Sequence, residues 1–282
     1  MTADARQYAA PGALPSARYL GTLAAACLKL EVATYPKPGL VSHVDNGAHR
    51  DMDAARLVRS ADALAPFFAD LAIAGAAGAG MDRLREIGIE AERAMLAATG
   101  GVNTHRGAIF GLGLLSAAAG FRDAYGVRRP LGAIIAERWG EAILSGPMPL
   151  RSHGAEVASR HGVGGARAEA AQGLPSVYTI ALPALRAGRA LAPNDREAAR
   201  VQACMALIAA VADTNLLHRG GAEGLDFARA LAAAFLDSGG IGRADWRGRA
   251  VAIHRAFVAR NLSPGGCADL LAMALFLDRL EA

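Results

Sequence analysis

Apolar residues recur at three- and four-residue steps from about residue 17 to the end of the chain, the spacing of helices that each bury one face. The pattern predicts helices near 17–33, 52–73, 82–98, 105–120, 131–143 and 153–172, then near 176–188, 195–218, 224–238, 246–260 and 266–281. Glycine and proline separate most of them, as in Pro36-Lys37-Pro38-Gly39, Gly100-Gly101, Gly146-Pro147, Gly239-Gly240 and Ser263-Pro264-Gly265-Gly266. No stretch is long or polar enough to serve as an interdomain linker, and no internal repeat is visible. The expected fold is all-α: a single compact multi-helix domain of roughly ten to twelve helices over 17–282. Residues 1–16, which hold Pro11, Gly12 and Pro15, read as a flexible leader.

The helix expected over 195–218 stands apart. Its stretch from Val201 to Ala212 has almost no polar surface and should be buried. The chain then places an acid, an amide, an imidazole and a guanidinium in Asp213-Thr214-Asn215-Leu216-Leu217-His218-Arg219, ahead of Gly220-Gly221. Such groups are costly to bury unless each finds a partner. Along a helix Thr214 shares a face with His218, and Asn215 with Arg219; Gly220 would supply the left-handed residue that ends it. A carboxylate near a helix C-terminus gains nothing from the dipole, so Asp213 should seek a cation: Arg219, another arginine or Mg²⁺.

Composition narrows the class. Hydrophobic residues make up 53% of the 282 and aromatics 5%, with alanine and leucine far ahead of β-branched residues, which favours helix. The formal charge of +4 comes from scattered arginines rather than a basic stripe. That argues against nucleic acid and fits either a solvated surface or attraction of a polyanionic small molecule. Cys27, Cys204 and Cys267 lie far apart in apolar surroundings, so reduced core residues are expected rather than disulfides or a zinc site. The start lacks a signal-peptide pattern, and the most apolar stretch, Gly107 to Phe121, is too short to span a membrane. A cytoplasmic protein is expected, and so alanine-rich a helical surface can support a homodimer.

Rare polar residues cluster. Asn46, Asn103 and Asn215 each fall in a short island with histidine: His43 and His49, His105, and His218. Lys37, one of only two lysines, precedes the first island. The islands are expected to converge in space. In the first, two prolines fix where Lys37 points, and Asp51 and Asp53 fall where a helix begins, either as caps or as oxygen ligands for Mg²⁺. In the second, Gly100-Gly101-Val102-Asn103-Thr104-His105-Arg106-Gly107 opens a helix whose N–H groups can cradle an anion, with Arg106 adding charge. In the fourth, Ser263-Pro264-Gly265-Gly266 is either an ordinary helix start or a phosphate seat, with Asp269 one turn inside. A fifth stretch, around Gly164-Gly165, Glu169 and Gly173-Leu174-Pro175-Ser176, is less specific. These features describe a pocket for a phosphorylated ligand, with or without a bound metal ion, and spacing alone does not name the reaction.

The runs Pro36 to Val41, Gly47-Ala48-His49-Arg50-Asp51-Met52-Asp53, Gly100 to Phe110, Asp213 to Gly221 and Ser263 to Gly266 resemble, in that order, the triphosphoribosyl-dephospho-CoA synthase family. The resemblance covers about residue 18 to 280, with departures at Leu174, Leu216 and Cys267. It implies a pentosyltransferase that moves the 5-triphosphoribosyl unit of ATP to the ribose 2′-hydroxyl of 3′-dephospho-CoA and releases adenine. The product would be the prosthetic-group precursor of an acyl carrier protein. Ser42 and Ala48 lean the resemblance toward the malonate decarboxylase branch rather than the citrate lyase one. It further implies Mg²⁺ arriving with ATP and no organic cofactor.

That chemistry needs a base near the 2′-hydroxyl, a donor to adenine and carboxylates near C1′. Under the resemblance the catalytic candidates are Asp51, His49, Asp213 and His218: Asp213 or Asp51 as base or metal ligand, and His49 or His218 as donor to adenine. Substrate contacts are expected from Lys37, Asn103, His105, Arg106, Asn215, Arg219, Ser263, Gly265 and Gly266, and metal contacts from Asp51, Asp53 and Asp213. Glu31, Glu92 and Glu169 flank the islands in reserve. Two rival readings remain: another helical Mg²⁺-dependent nucleotide enzyme, such as an ADP-ribosyl-hydrolase-like N-glycosidase, and a non-catalytic helical protein that binds a CoA precursor or the carrier protein.

Overall fold

Several helices begin where the sequence supplies a capping side chain. The structure, a computed structural model, describes residues 16–147 and 164–281. Its helices are α1 (Ala17–Val32), α2 (Ala54–Ala76), α3 (Met81–Thr99), α4 (Arg106–Tyr125), α5 (Leu131–Ser145) and the short α6 (Gly165–Ala171). A π-helical turn, Val177–Ala181, leads into α7 (Leu182–Leu191), followed by α8 (Arg196–Ala210), α9 (Thr214–Asp237), α10 (Trp246–Ala259) and α11 (Gly265–Leu280). Ser16, Asp53, Asp195 and Asp213 each accept a backbone N–H in the first turn of the helix they precede. No strand occurs among the described residues, so the all-α expectation holds.

Two helices form the centre. Every residue of α4 from Leu112 to Gly120 is buried, and so is every residue of α11 from Leu270 to Asp278. A helix apolar on all sides belongs inside the domain. Around α4 pack α1, α2, α3 and α5; around α11 pack α1, α8, α9 and the π turn. The α2–α4 seam is unusually close, because a Cβ on Gly75 would lie 1.9 Å from the Ala117 carbonyl oxygen, and one on Gly120 2.0 Å from that of Ala72. Glycine is therefore what lets these two backbones touch. Cys27, Cys204 and Cys267 are buried free thiols, as expected; burial pushes Cys27 and Cys204 up to about 12. No single described helix is long and apolar enough to cross a membrane.

The structure corrects the expected continuous helix over 195–218. α8 ends at Ala210, Val211 is extended, and α9 starts afresh at Thr214. Asp213 is thus an N-cap rather than a late helical residue, and the argument that it needs a cation fails with that placement. Nor does Gly220 end a helix: the break falls at Gly221 (φ 62°, ψ −162°), after which α9 continues, merging the expected 224–238 helix. Of the expected 153–172 helix, 153–163 lie outside the described residues, as do 1–15 of the leader; Ser16 belongs to the domain as the cap of α1.

Candidate active site

The breaks before α4, α9 and α11 bring three helix N-termini to one place, facing the end of α1. At its centre is Asp213. Oδ1 accepts the N–H groups of Asn215 (2.7 Å) and Leu216 (3.2 Å), and Oδ2 accepts that of Cys267 at 2.8 Å. One carboxylate so caps α9 and also occupies the first turn of α11, where the sequence suggests a seat for an anion. Burial outweighs these three bonds and pushes the Asp213 carboxyl above its ordinary range.

Lys37 and Glu31 form the second part. Lys37 is wholly buried between Pro36 and Pro38, its ammonium paired with the Glu31 carboxylate at the end of α1. The third part is Asp269, in the first turns of α11. A Cβ on Gly107 would stand 2.1 Å from Asp269 Oδ2, so the carboxyl fills the space that this glycine leaves at the start of α4. Protein atoms crowd that carboxyl while it keeps a partial opening to solvent. Among the described residues nothing donates a hydrogen bond to it. Desolvation, then the charges of Glu31 and Asp213, push it well above the carboxylate range.

His105 lies beneath, at the cap of α4. Thr104 donates to the Ser60 hydroxyl at 2.7 Å, which leaves the Ser60 proton for His105 Nδ1, also at 2.7 Å. Burial first and the Lys37 charge second lower His105 to about 4, from an ordinary 6.5. Between those values the unfolded chain binds the proton and the folded chain does not. Stability should therefore be complete above about pH 6.5 and fall as the pH drops toward 4, by up to about 3 kcal/mol. In chemical denaturation from pH 7 to 4, His105→Gln should lose this part of the slope. An unchanged slope would show that His105 does not carry it.

A more open cluster covers the start of α11. His49 Nε2 lies 2.8 Å from Ser263 Oγ, and its Nδ1 lies 3.3 Å from Arg219 Nη2 and 3.6 Å from Asp51 Oδ1. An arginine N–H can only donate, so Nδ1 accepts and Nε2–H donates to Ser263. Burial and then the Arg219 charge hold His49 below its ordinary value. Arg219 also donates to the Ala48 and Asn261 carbonyls and to Asn261 Oδ1.

The structure thus joins His49, Asp51, Arg219 and Ser263 in one cluster, and Lys37, His105, Asp213 and Gly266 in the deeper one. Asn215 is exposed, with its amide beside Gly265. His218 is exposed one turn further along α9. At the start of α4 Asn103 caps Arg106 N–H at 3.2 Å, and Arg106 Nε donates to Glu92 at 2.7 Å. Asp53 caps α2 through Arg56 N–H at 2.7 Å. Of the reserve glutamates, Glu31 belongs to the centre, while Glu169 holds Ser176 elsewhere.

Among the described residues no group of three or more histidine, cysteine or acidic side chains is arranged to hold a metal ion. Of the three metal candidates only Asp51 and Asp53 are exposed; Asp213 spends both oxygens on N–H groups. Asp269, which the sequence places one turn inside the start of α11, is missing from the catalytic candidates, because on a helix face it reads as one more surface acid. Asp45 and His254 are missing too: His254 occupies the buried Ala250–His254–Phe257 face of α10, where only an i, i+4, i+7 pattern with one polar member hints at it. A surface hollow of about 670 Å³ near Arg122, Arg128 and Glu281 contains none of the island residues, so the convergence of islands marks the site rather than cavity size.

Comparison with known proteins shows the family. The family described as CitG, ATP:dephospho-CoA triphosphoribosyl transferase, matches residues 17–282. A protein of Pectobacterium atrosepticum named "2-(5''-triphosphoribosyl)-3'-dephosphocoenzyme-A synthase" is 41% identical over 266 residues, covering 89% of this chain and 85% of that protein. Proteins of Pseudomonas fluorescens (42% over 277 residues, 94% and 92% covered) and Azotobacter vinelandii (43% over 272 residues, 92% and 90% covered) carry the same name preceded by "Probable". No solved structure matches. This chain is a transferase that belongs to the ATP:dephospho-CoA triphosphoribosyl transferase family.

Proposed function

We propose that the junction of α1, α4, α9 and α11 is where the triphosphoribosyl group of ATP passes to the 2′-hydroxyl of 3′-dephospho-CoA. One observation carries this reading: Glu31, Asp213 and Asp269 converge there, and they differ in what satisfies them. Glu31 is held by a buried ammonium, Asp213 by three N–H groups, and Asp269 by no donor among the described residues. Carboxyl groups in unlike environments can divide acid, base and electrostatic work. In the transfer, the C1′–N bond of ATP breaks as the C1′–O bond to dephospho-CoA forms, and one proton moves from the 2′-hydroxyl to adenine. Asp269, kept protonated, donates to the departing adenine. Asp213 receives the hydroxyl proton, and the Glu31 carboxylate faces the positive charge that builds at C1′.

The more open cluster suits the phosphates. Arg219, Ser263 and the exposed Asn215 and His218 lie at the starts of α9 and α11, and Asn103 and Arg106 at the start of α4. Mg²⁺ fits as a partner of the ATP phosphates that borrows Asp51 or Asp53, since that ion keeps most of its ligands from water and phosphate. When bound it would neutralise phosphate charge. As in the family branch suggested by Ser42 and Ala48, the product would serve the carrier protein of malonate decarboxylase.

The test is incubation with ATP, Mg²⁺ and dephospho-CoA, followed by mass spectrometry and adenine quantification. Equal amounts of adenine and of dephospho-CoA carrying a triphosphoribosyl unit are expected. Adenine released without dephospho-CoA would favour a hydrolase, and folded protein that yields neither product would overturn the proposal.

A further inference from the structure

Lys37 sits between two prolines in a segment that draws hydrogen-bond partners from distant parts of the chain, as Tyr35 does from Glu197 and Arg247. Pro36 and Pro38 lack N–H donors, so the backbone around Lys37 has little of its own to bond with. Its carbonyl oxygen takes a long 3.3 Å bond from the Leu40 N–H. A shorter bond comes from a distant helix: His254 Nδ1, on α10, lies 2.8 Å from the same oxygen. A carbonyl only accepts, so Nδ1 carries the proton. On the other side of the ring, Nε2 lies 3.2 Å from Asp45 Oδ2, in the same loop and eight residues beyond Lys37. Tyr35 meets the ring edge-on at 5.8 Å between centroids. His254 is buried at 3% exposure, and it touches the loop at Tyr35, Lys37 and Asp45 at once.

We propose that His254 is a positioning residue: by holding the Lys37 carbonyl it fixes the loop so that the Lys37 ammonium stays on Glu31, beside Asp213 and Asp269. The role given to this ion pair in catalysis rests on the function proposed above; the structural role of His254 does not. Displacing a charged group by about 1 Å beside a reacting centre costs up to about a hundredfold in rate. His254 itself lies behind the loop and acts only through Lys37.

Three replacements separate a hydrogen bond from mere filling of space. In His254→Asn the amide nitrogen can occupy the place of Nδ1 and still donate to the Lys37 carbonyl. His254→Gln is larger and closer to histidine in volume, but its amide reaches the Nε2 position instead. His254→Ala supplies neither. Hydrogen–deuterium exchange of the 35–47 segment should be faster in Gln and Ala variants and close to wild type in Asn. In turnover assays Gln and Ala should lower kcat about tenfold to a hundredfold, with KM for ATP and dephospho-CoA within about threefold, while Asn stays within about threefold of wild type. Asp45→Asn, at an exposed partner that does not threaten folding, should speed exchange of the same segment more weakly.

A packing role predicts the opposite order, Gln closest to wild type and Asn behind it, and that order would overturn the proposal. So would unchanged exchange in all four variants. If wild type fails to transfer the triphosphoribosyl unit, the function falls, and the order of exchange rates still decides the role of His254.

Discussion

Asp269→Asn should lower turnover by about a hundred- to ten-thousandfold, the usual loss when a general acid is removed. It should do so without weakening the fold. The carboxyl is crowded by protein atoms, receives no hydrogen bond from the described residues, and shares its surroundings with Glu31 and Asp213. An amide of the same shape is neutral without taking up a proton, so the cost of holding this carboxyl above its ordinary range disappears and the melting temperature should hold or rise. A carboxyl held where stability would prefer its absence is what the proposed role requires, and the variant separates the two contributions. Gly107→Ala offers a second approach, since the added Cβ would stand 2.1 Å from Oδ2 and must turn the carboxyl away. It should reduce kcat as well, with the asparagine variant's KM values for ATP and dephospho-CoA left near wild type. Adenine release at single-turnover and steady-state conditions measures both. Turnover of Asp269→Asn within about threefold of wild type would remove Asp269 from the chemistry.

Much of the fold was readable before any coordinates. Helical periodicity marked most of the elements, and Gly/Pro punctuation marked most of their ends. The reading failed where neither signal operates. Between Ala210 and Thr214 the chain has no glycine or proline, and Val211 and Ala212 continue the apolar pattern. The helix breaks there because Asp213 finds three N–H groups, one of them on α11, more than fifty residues away. A contact so distant in sequence leaves no local trace beyond the Asp-Thr-Asn order that suits a cap. The islands were legible as clusters of rare polar residues. Their division into a buried centre and a more open rim was not, since burial depends on which helices cover Lys37 and His105. Asp269 stands in the sequence beside the Gly265-Gly266 seat without a role, and His254 does not stand out at all, for the same reason: each sits on a helix face whose pattern is satisfied equally by a structural residue.

The other large effect should come from Asp213, and it should combine folding with catalysis. Asp213→Ala leaves the N–H groups of Asn215, Leu216 and Cys267 without their acceptor at the starts of two helices. Loss of a cap alone costs about 1 kcal/mol, and each buried unpaired donor about 1–3 kcal/mol. A loss of about 3–6 kcal/mol is expected, a large part of the 5–15 kcal/mol by which domains are usually stable. The protein should unfold at markedly lower denaturant, with α9 and α11 exchanging amide hydrogens first. Asp213→Asn is the more informative variant. Its amide oxygen can still serve Asn215 and Leu216, but its NH₂ then meets the Cys267 N–H, donor against donor. Destabilisation of about 1–3 kcal/mol is expected, together with a fall in kcat of about a hundredfold or more, because an amide cannot take the 2′-hydroxyl proton. Denaturant midpoints and adenine release, measured at a temperature where both proteins are folded, separate the two effects. If the alanine variant keeps its midpoint, the three-bond junction does not hold the helices together. Full turnover by the asparagine variant would instead leave Asp213 a purely architectural residue and place the base elsewhere in the site.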